Sequence, residues 1–467
     1  MGVDGGIGIT CNVMGWLFVD ICDAMLRGDL ARARVLQNCA KAGIDVLVLV
    51  DVGGLAGTTV PLKLPDRDAG PCRQPLADGA THTAGPGMLP VGYWSASSMS
   101  CQPGSAMNPS DAFSQNYAEA RAKFRTTAAA AGARLTAIHH PLLGPAGETL
   151  ACDVARFGAD DAQAVLWINS ATHGVEGYCG SGVQIAMMAL GWPRRLPAGV
   201  ALLMTHAINP HGFAWTRRVT EDNVDLNRNF GPPGVASPVN AGYAQIHQWV
   251  IPQAIDGPER AAADAALEQF RVQHGDRALH QAMAGGQYAY PDGLFYGGTG
   301  PTWSNRTLHS LIGSELAGAR RFCFFDIHTG LGPAGYGEAS YVGKPTEEAF
   351  AECQRWLGDD VTWLERGTGQ STPLHGHIGL PFRPLYDAGK SGPVIGIEFG
   401  TVPSPEVRAA LRADHWLHAR GQLDSAQGRA IKRRLRDVFY VDTDSWKQQV
   451  IDRADELVTR AMRNLAA

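Results

Sequence analysis

Residues 164–190, AVLWINSATHGVEGYCGSGVQIAMMAL, decide how the rest of the chain is read. They open on AVLWIN, an apolar run with the length of a buried strand, and close on SGVQIAMMAL, which suits a helix. Between the two lies a glycine-rich bend that carries His173 and Glu176. In open α/β sheets, ligand sites gather at the carboxyl ends of strands. A histidine and a glutamate three positions apart therefore stand where chemistry is expected. Taken alone the pair decides little, because such a spacing arises by chance and Glu176 also suits the N-terminus of the helix that follows.

The same texture recurs along the chain. Short apolar strands are predicted at GVALLMTH (199–206), RFCFFDIH (321–328), ASYVG (339–343) and PVIGIEF (393–399). Helices are predicted at 181–190, 241–250, 260–271 and 305–319. A further helix is predicted over 109–133, with Ser110 or Asp111 as its N-cap and Gly132 near its end. Buried strands that alternate with helices predict an α/β fold, a mixed and mostly parallel twisted sheet with helices on both faces.

Composition narrows the function. A chain of 467 residues is too long for one ordinary domain. A net charge of -5 and a pI near 6.3 give no reason to expect a nucleic-acid partner. Nine cysteines without a CxxC pair argue against a disulfide framework and against a cysteine-rich zinc module. No apolar run approaches the roughly 18 residues that a membrane helix needs, so no membrane partner is expected. No export signal is visible, and the expectation is a cytoplasmic protein. Oligomeric state is not legible.

Three further stretches bear on the His173–Glu176 pair. Zinc in a catalytic site takes three protein ligands and keeps a fourth position open. FFDIHTGLG ends a second strand with His328, followed by small residues. GIEFGTV ends a third strand with Glu398, a carboxylate at the rim of an apolar strand, where an unpaired charge is costly. NVDLNRNF (223–230) clusters Asp225, Asn227, Arg228 and Asn229, and an arginine beside an asparagine is a fork of donors suited to a carboxylate.

Taken in order, HGVE, NPHGF, VDLNRNF, DIHTG and IEFGT resemble the zinc carboxypeptidase superfamily of the carboxypeptidase A type. The likeness is greatest to a bacterial branch of uncharacterised function, with succinylglutamate desuccinylases and aspartoacylases as more distant relatives, and it covers residues 107–467. It implies one zinc per chain, held by His173, Glu176 and His328, with Asp225 orienting the first histidine. It implies that Asn227 and Arg228 grip a substrate carboxylate. Arg218, with Arg217 as its fallback, polarises the scissile carbonyl, and Glu398 is the general base. The substrate implied is a small peptide or an acyl-amino acid.

One feature departs from the pattern. The family's mobile tyrosine falls in STPLHGHIGLPFRPLYDAGKSG (371–392), where no tyrosine stands at the matching place. Tyr386, His375 and His377 are the candidates to replace it, and Arg383 falls near where the family sets side-chain specificity. Two rivals therefore stay open: an N-acyl amino acid deacylase, and a non-catalytic carboxylate-binding scaffold. Cys179 in the opening bend is read as small packing, and His206 and His211 lie outside the three-ligand set.

The first hundred residues read differently. GVDGGIGITCNVMGW, RGDLARARVLQNCAKAGID and DAGPCRQP resemble the C-terminal end of an N-acetylneuraminate lyase, over residues 1–80. Such lyases are barrels with a Schiff-base lysine. Only Lys41 and Lys63 precede residue 107, and neither matches that position. A partial barrel cannot close its sheet. Residues 1–52 are expected to be a helical lyase-like remnant and 53–106 a poorly ordered linker rich in Gly and Pro, with Met107 as a natural start for the hydrolase domain, 107–467.

Overall fold

The structure, a computed structural model, describes residues 61–64, 67–71, 108–232, 234–371 and 373–466. The chain divides after Gln102 into two units. In the first, β1 (Pro61–Leu64) and β2 (Arg67–Pro71) form a two-stranded antiparallel pair inside the stretch expected to be a linker. The helical lyase-like remnant expected over residues 1–52 lies outside the described residues.

In the second unit, α1 (Tyr117–Ala130) precedes β3 (Arg134–Leu143), β4 (Thr149–Phe157) and β5 (Ala164–Asn169). Then come α2 (Gly177–Ala189), β6 (Val200–His206), α3 (Pro210–Ala214), α4 (Ala241–Val250), α5 (Gly257–His274), α6 (Asp276–Ala284) and α7 (Trp303–Glu315). The chain continues through β7 (Arg321–Ala334), β8 (Gly337–Tyr341), α8 (Glu347–Leu357), β9 (Thr362–Trp363), α9 (Arg383–Asp387) and β10 (Val394–Gly400). It closes with α10 (Ser404–Arg420), α11 (Ala426–Phe439) and α12 (Asp444–Leu465).

Eight strands make one mixed sheet in the order β3-β4-β6-β5-β7-β10-β8-β9. Its centre, β6-β5-β7-β10, is parallel throughout, and antiparallel pairs join β3 to β4, β4 to β6 and β10 to β8. The chain leaves β5 towards β6 on one side and returns with β7 on the other. That reversal opens a crevice at the carboxyl ends of β5 and β7, the place where such sheets bind ligands.

Alternation along the central strands explains why helices cover both faces. Leu166, Ile168, Phe325, Ile327, Ile395 and Ile397 pack towards α1, α2 and α12, while Val165, Trp167, Phe322, Phe324 and Val394 pack towards α7. Each such side chain contributes roughly 1.5–3 kcal/mol on burial. No helix of the described residues is long and apolar enough to cross a membrane.

The expected N-cap of the first helix is corrected. Ser110 and Asp111 sit in a separate single turn at 109–112, and α1 begins later, capped by Asn116. The Asn116 side chain accepts from Glu119 N and the Glu119 carboxylate accepts from Gln115 N. These two bonds satisfy donors at the start of α1 that Ser110 does not reach.

Candidate metal centre

The opening bend is fixed by its neighbours before any ligand is considered. His173 follows β5, and residues 174–176 form one tight turn that leads into α2. Gly174 N donates to Arg218 O (3.1 Å) and Val175 N to Arg217 O (2.8 Å), so the HGVE bend and the Arg217–Arg218 loop are tied together. Only glycine fits at 174, because a Cβ there would lie 2.0 Å from the Gly212 carbonyl carbon of the NPHGF turn.

His173, Glu176 and His328 converge, with one ligand atom from each lying within 4.8 Å of the others, and all three are buried. The Nδ1 atoms of both rings face the same carboxylate: His173 Nδ1 is 2.9 Å from Glu176 Oε1, and His328 Nδ1 is 2.8 Å from Glu176 Oε2. The far side of each ring meets another carboxylate. His173 Nε2 lies 3.2 Å from Asp225 Oδ1, and His328 Nε2 lies 2.6 Å from Asp326 Oδ2. A carboxylate behind an imidazole fixes its tautomer and leaves the opposite nitrogen free to act as a ligand.

Asp326 was not among the candidates read from the sequence. It is fully buried, and its Oδ1 accepts from Asn169 Nδ2 and Thr172 Oγ1, each at 2.7 Å. The signal that could have found it is the period of a strand. Asp326 stands two residues before His328 on β7, so both side chains lie on one face of the strand.

Glu398 is the Cα partner of His328 across the parallel β7–β10 pair, which sets the two side chains side by side. Its Oε1 accepts from Leu331 N (3.1 Å). Glu398 is half-buried against the cleft. Burial and the neighbouring charge of Glu176 raise its carboxyl to about 8, against the pull of His328 and Arg218. Glu176 behaves in the opposite way: burial alone would raise it, but His173 and His328 outweigh that and hold it down at about 2.

The two candidate arginines separate. Arg218 Nε donates to Asp225 Oδ2 (2.9 Å) and Nη1 to Glu176 Oε1 (3.1 Å), while Nη2 is 2.8 Å from His173 Nε2. Arg217 turns the other way, donating from Nε to Asp414 (3.2 Å) and from Nη2 to Asn223 (3.0 Å), so it is a buried structural cation. Asp225 also accepts from Asn227 N (3.0 Å) and starts the turn 226–228. The charges of Arg218, Arg228 and His173 hold it far below the usual carboxylate range although burial opposes them.

Arg228 is buried over the Phe295 ring, with Nη2 donating to Ala284 O (2.6 Å) and Nε left without a partner. Asn227 Oδ1 accepts from Ile378 N (2.8 Å), and its side-chain amide nitrogen has no hydrogen bond among the described residues. Asn229, from the same motif, points away and holds the backbone at Gly297 and Gly300. His173, Glu176, Arg218, Asn227, Arg228, His328 and Glu398 all line one cleft of about 1080 Å³ including its mouth.

The other expectations fall outside the cleft or on its wall. No tyrosine lines it among the described residues. Tyr386 donates to Gly392 O, and the His375 ring packs edge-on to Tyr288. His377 does line the cleft, 3.6 Å from Glu365. Arg383 pairs with that same glutamate and does not reach the cleft. Cys179 is buried and burial pushes its thiol up, which leaves it unreactive. His206 stacks on Phe124, and His211 lies against His140 and Trp215.

A family model described as "Protein of unknown function (DUF2817)" matches residues 113–453. Among solved structures, carboxypeptidase A from Helicoverpa armigera is similar with a TM-score of 0.44 and 12% identity, over 75% of this chain and 73% of that one. The succinylglutamate desuccinylase from Chromobacterium violaceum is similar with a TM-score of 0.29 and 15% identity, over 67% of this chain and 72% of that one. The N-acetylneuraminate lyase of Salmonella agona (strain SL483) is 42% identical over 77 residues, 16% of this chain. The chain spans about a quarter of the length of that relative.

Proposed function

The chain belongs to the family described as a protein of unknown function (DUF2817), and from the chemistry of its site we propose that it is a zinc-dependent hydrolase cleaving an amide bond next to a free carboxylate. The observation that carries this reading is the convergence of two imidazoles on Glu176, each backed by a carboxylate, beside the half-buried Glu398. Two nitrogens and one carboxylate oxygen are the donor set of a catalytic zinc, and they leave room for a fourth ligand. His173, Glu176 and His328 would hold one zinc. Bound zinc supplies a water acidified towards about pKa 7 and Lewis acidity for a carbonyl oxygen.

The chain's own residues account for the remaining steps. Glu398 takes a proton from water at the cleft floor and returns it to the leaving amine, a role that its place beside His328 suits. The Arg218 guanidinium stabilises negative charge developing on the carbonyl oxygen, the kind of interaction that is usually the largest catalytic contribution. Arg228 Nε and the Asn227 amide nitrogen, neither with a partner among the described residues, offer donors to the substrate's carboxylate. Apolar walls at Phe295, Leu331, Val342 and Ile378 exclude water around these charges.

A deacylase acting on N-acyl amino acids stands as the second reading, favoured by the absence of a tyrosine among the described residues that line the cleft. Turnover of N-acyl amino acids and dipeptides by the zinc-loaded full chain tests the proposal. Glu398→Gln should lower kcat by about 10²–10⁴-fold. Undiminished turnover in that variant would exclude Glu398 as the base.

A further inference from the structure

The cleft holds a cation that the proposed chemistry does not use. On α10, Ser404, Val407, Arg408 and Leu411 recur at helical spacing and all line the cleft, so one face of that helix forms its wall. Arg408 is the charged member of that face. Among the described residues it has no ion pair and no hydrogen bond, and burial pulls its guanidinium below the usual range with no carboxylate to offset it. Across from it on α6, His280 and Ala284 line the same cleft one turn apart, and the His280 ring feels the charges of both Arg408 and Arg228.

The charges on this side of the cleft therefore do not balance. Arg218 is matched by Asp225 and Glu176. Arg228 approaches Asp225 only at 3.8 Å and keeps a buried Nε without a partner. Arg408 has nothing. A half-buried guanidinium on an apolar wall of Val407 and Leu411 is stabilised by an anion that arrives with the ligand. Arg228, His280 and Arg408 line one cleft, so an anion at Arg408 would share that cleft with a carboxylate at Arg228.

We propose that Arg408, with His280, is the specificity-determining cation for a second carboxylate, so that the leaving amino acid of the substrate is a dicarboxylic one. This rests on the hydrolase reading for the word substrate, but the binding it describes is measurable without turnover. The probes are L-glutamate against L-glutamine and L-aspartate against L-asparagine, titrated calorimetrically into the zinc-loaded full chain. In at least one pair the acid should bind about tenfold or more tighter than its neutral amide. Arg408→Gln should bring that ratio to within about twofold, while Arg408→Lys keeps most of it.

Equal binding of acid and amide in both pairs, no binding of any probe, or an unchanged preference in Arg408→Gln would overturn the proposal. An arginine that merely shields the cleft mouth leaves the preference untouched when replaced. A protein that prefers the acids yet cleaves no acylated form of them would remove the hydrolase reading and leave this one standing.

Discussion

His328 Nε2 lies 2.6 Å from Asp326 Oδ2, while Nδ1 of the same ring lies 2.8 Å from Glu176 Oε2. One imidazole thus spans a carboxylate that orients it and a carboxylate that shares its proposed metal. Asp326 is itself held by Asn169 and Thr172, so Asp326→Asn keeps the shape and removes the charge. Zinc affinity in that variant, read by chelator competition, should fall about 10–100-fold. Unchanged affinity would make Asp326 an ordinary buried acid.

The arginine pair predicts two different phenotypes. Arg218→Met should lower kcat by about 10²–10³-fold, because it removes a donor to the developing oxyanion. Arg217→Met should act on the fold, since it strips one cation from the buried Asp414. Lys432 remains beside that acid, so the cost is about 3 kcal/mol, at the low end for breaking a buried pair. Denaturation and steady-state kinetics on both variants check the division. Reversed phenotypes would contradict the assignment of Arg218 to the cleft.

Metal loading should release protons in a way that singles out Glu398. Burial and Glu176 raise Glu398 to about 8, so at pH 7 the metal-free protein carries a proton there. Incoming positive charge favours its loss. Calorimetry in buffers of different ionisation enthalpy should find Glu398→Gln releasing about one proton fewer than the wild type on binding zinc. Equal release from both would mean that Glu398 is already ionised.

Acid should loosen the fold through buried histidines outside the metal-ligand set. Burial lowers His206 and His415 to about 4, whereas an unfolded histidine titrates near about 6.5. Between those values the unfolded chain binds more protons than the native one, so stability falls as pH drops from about 6.5 to about 4. Each group accounts for about 3 kcal/mol over that window. Urea midpoints at pH 7 and pH 4.5 measure it, and His206→Gln should soften the fall. A midpoint that holds between those pH values would show these histidines charged in the native state.

The residues legible from sequence were those where a polar side chain interrupts an apolar strand. His173 follows β5, Glu398 stands near the end of β10, and His328 lies inside β7, which runs on to Ala334 past the end expected at 328; burying a charge at such places without a purpose is costly. Asp326 escaped notice because it sits within FFDIH, where it looks like part of the strand's end rather than a partner of His328. Arg408 carries no local signal, since only the packing of α10 against the cleft gives it a meaning. The edge strand β3 and its neighbour β4 were missed for a related reason. β3 is largely exposed and its apolar residues do not alternate cleanly, so its pairing with β4 decides it. Arg383 was placed by position in the chain, but the Glu365 carboxylate claims it.

The most direct test of the account is zinc content per chain in the purified full-length protein, measured beside His328→Ala. About one zinc per chain in the wild type, lost in the variant, is the predicted result. A well-folded wild type that binds no zinc would contradict the metal centre and leave only a carboxylate-binding scaffold.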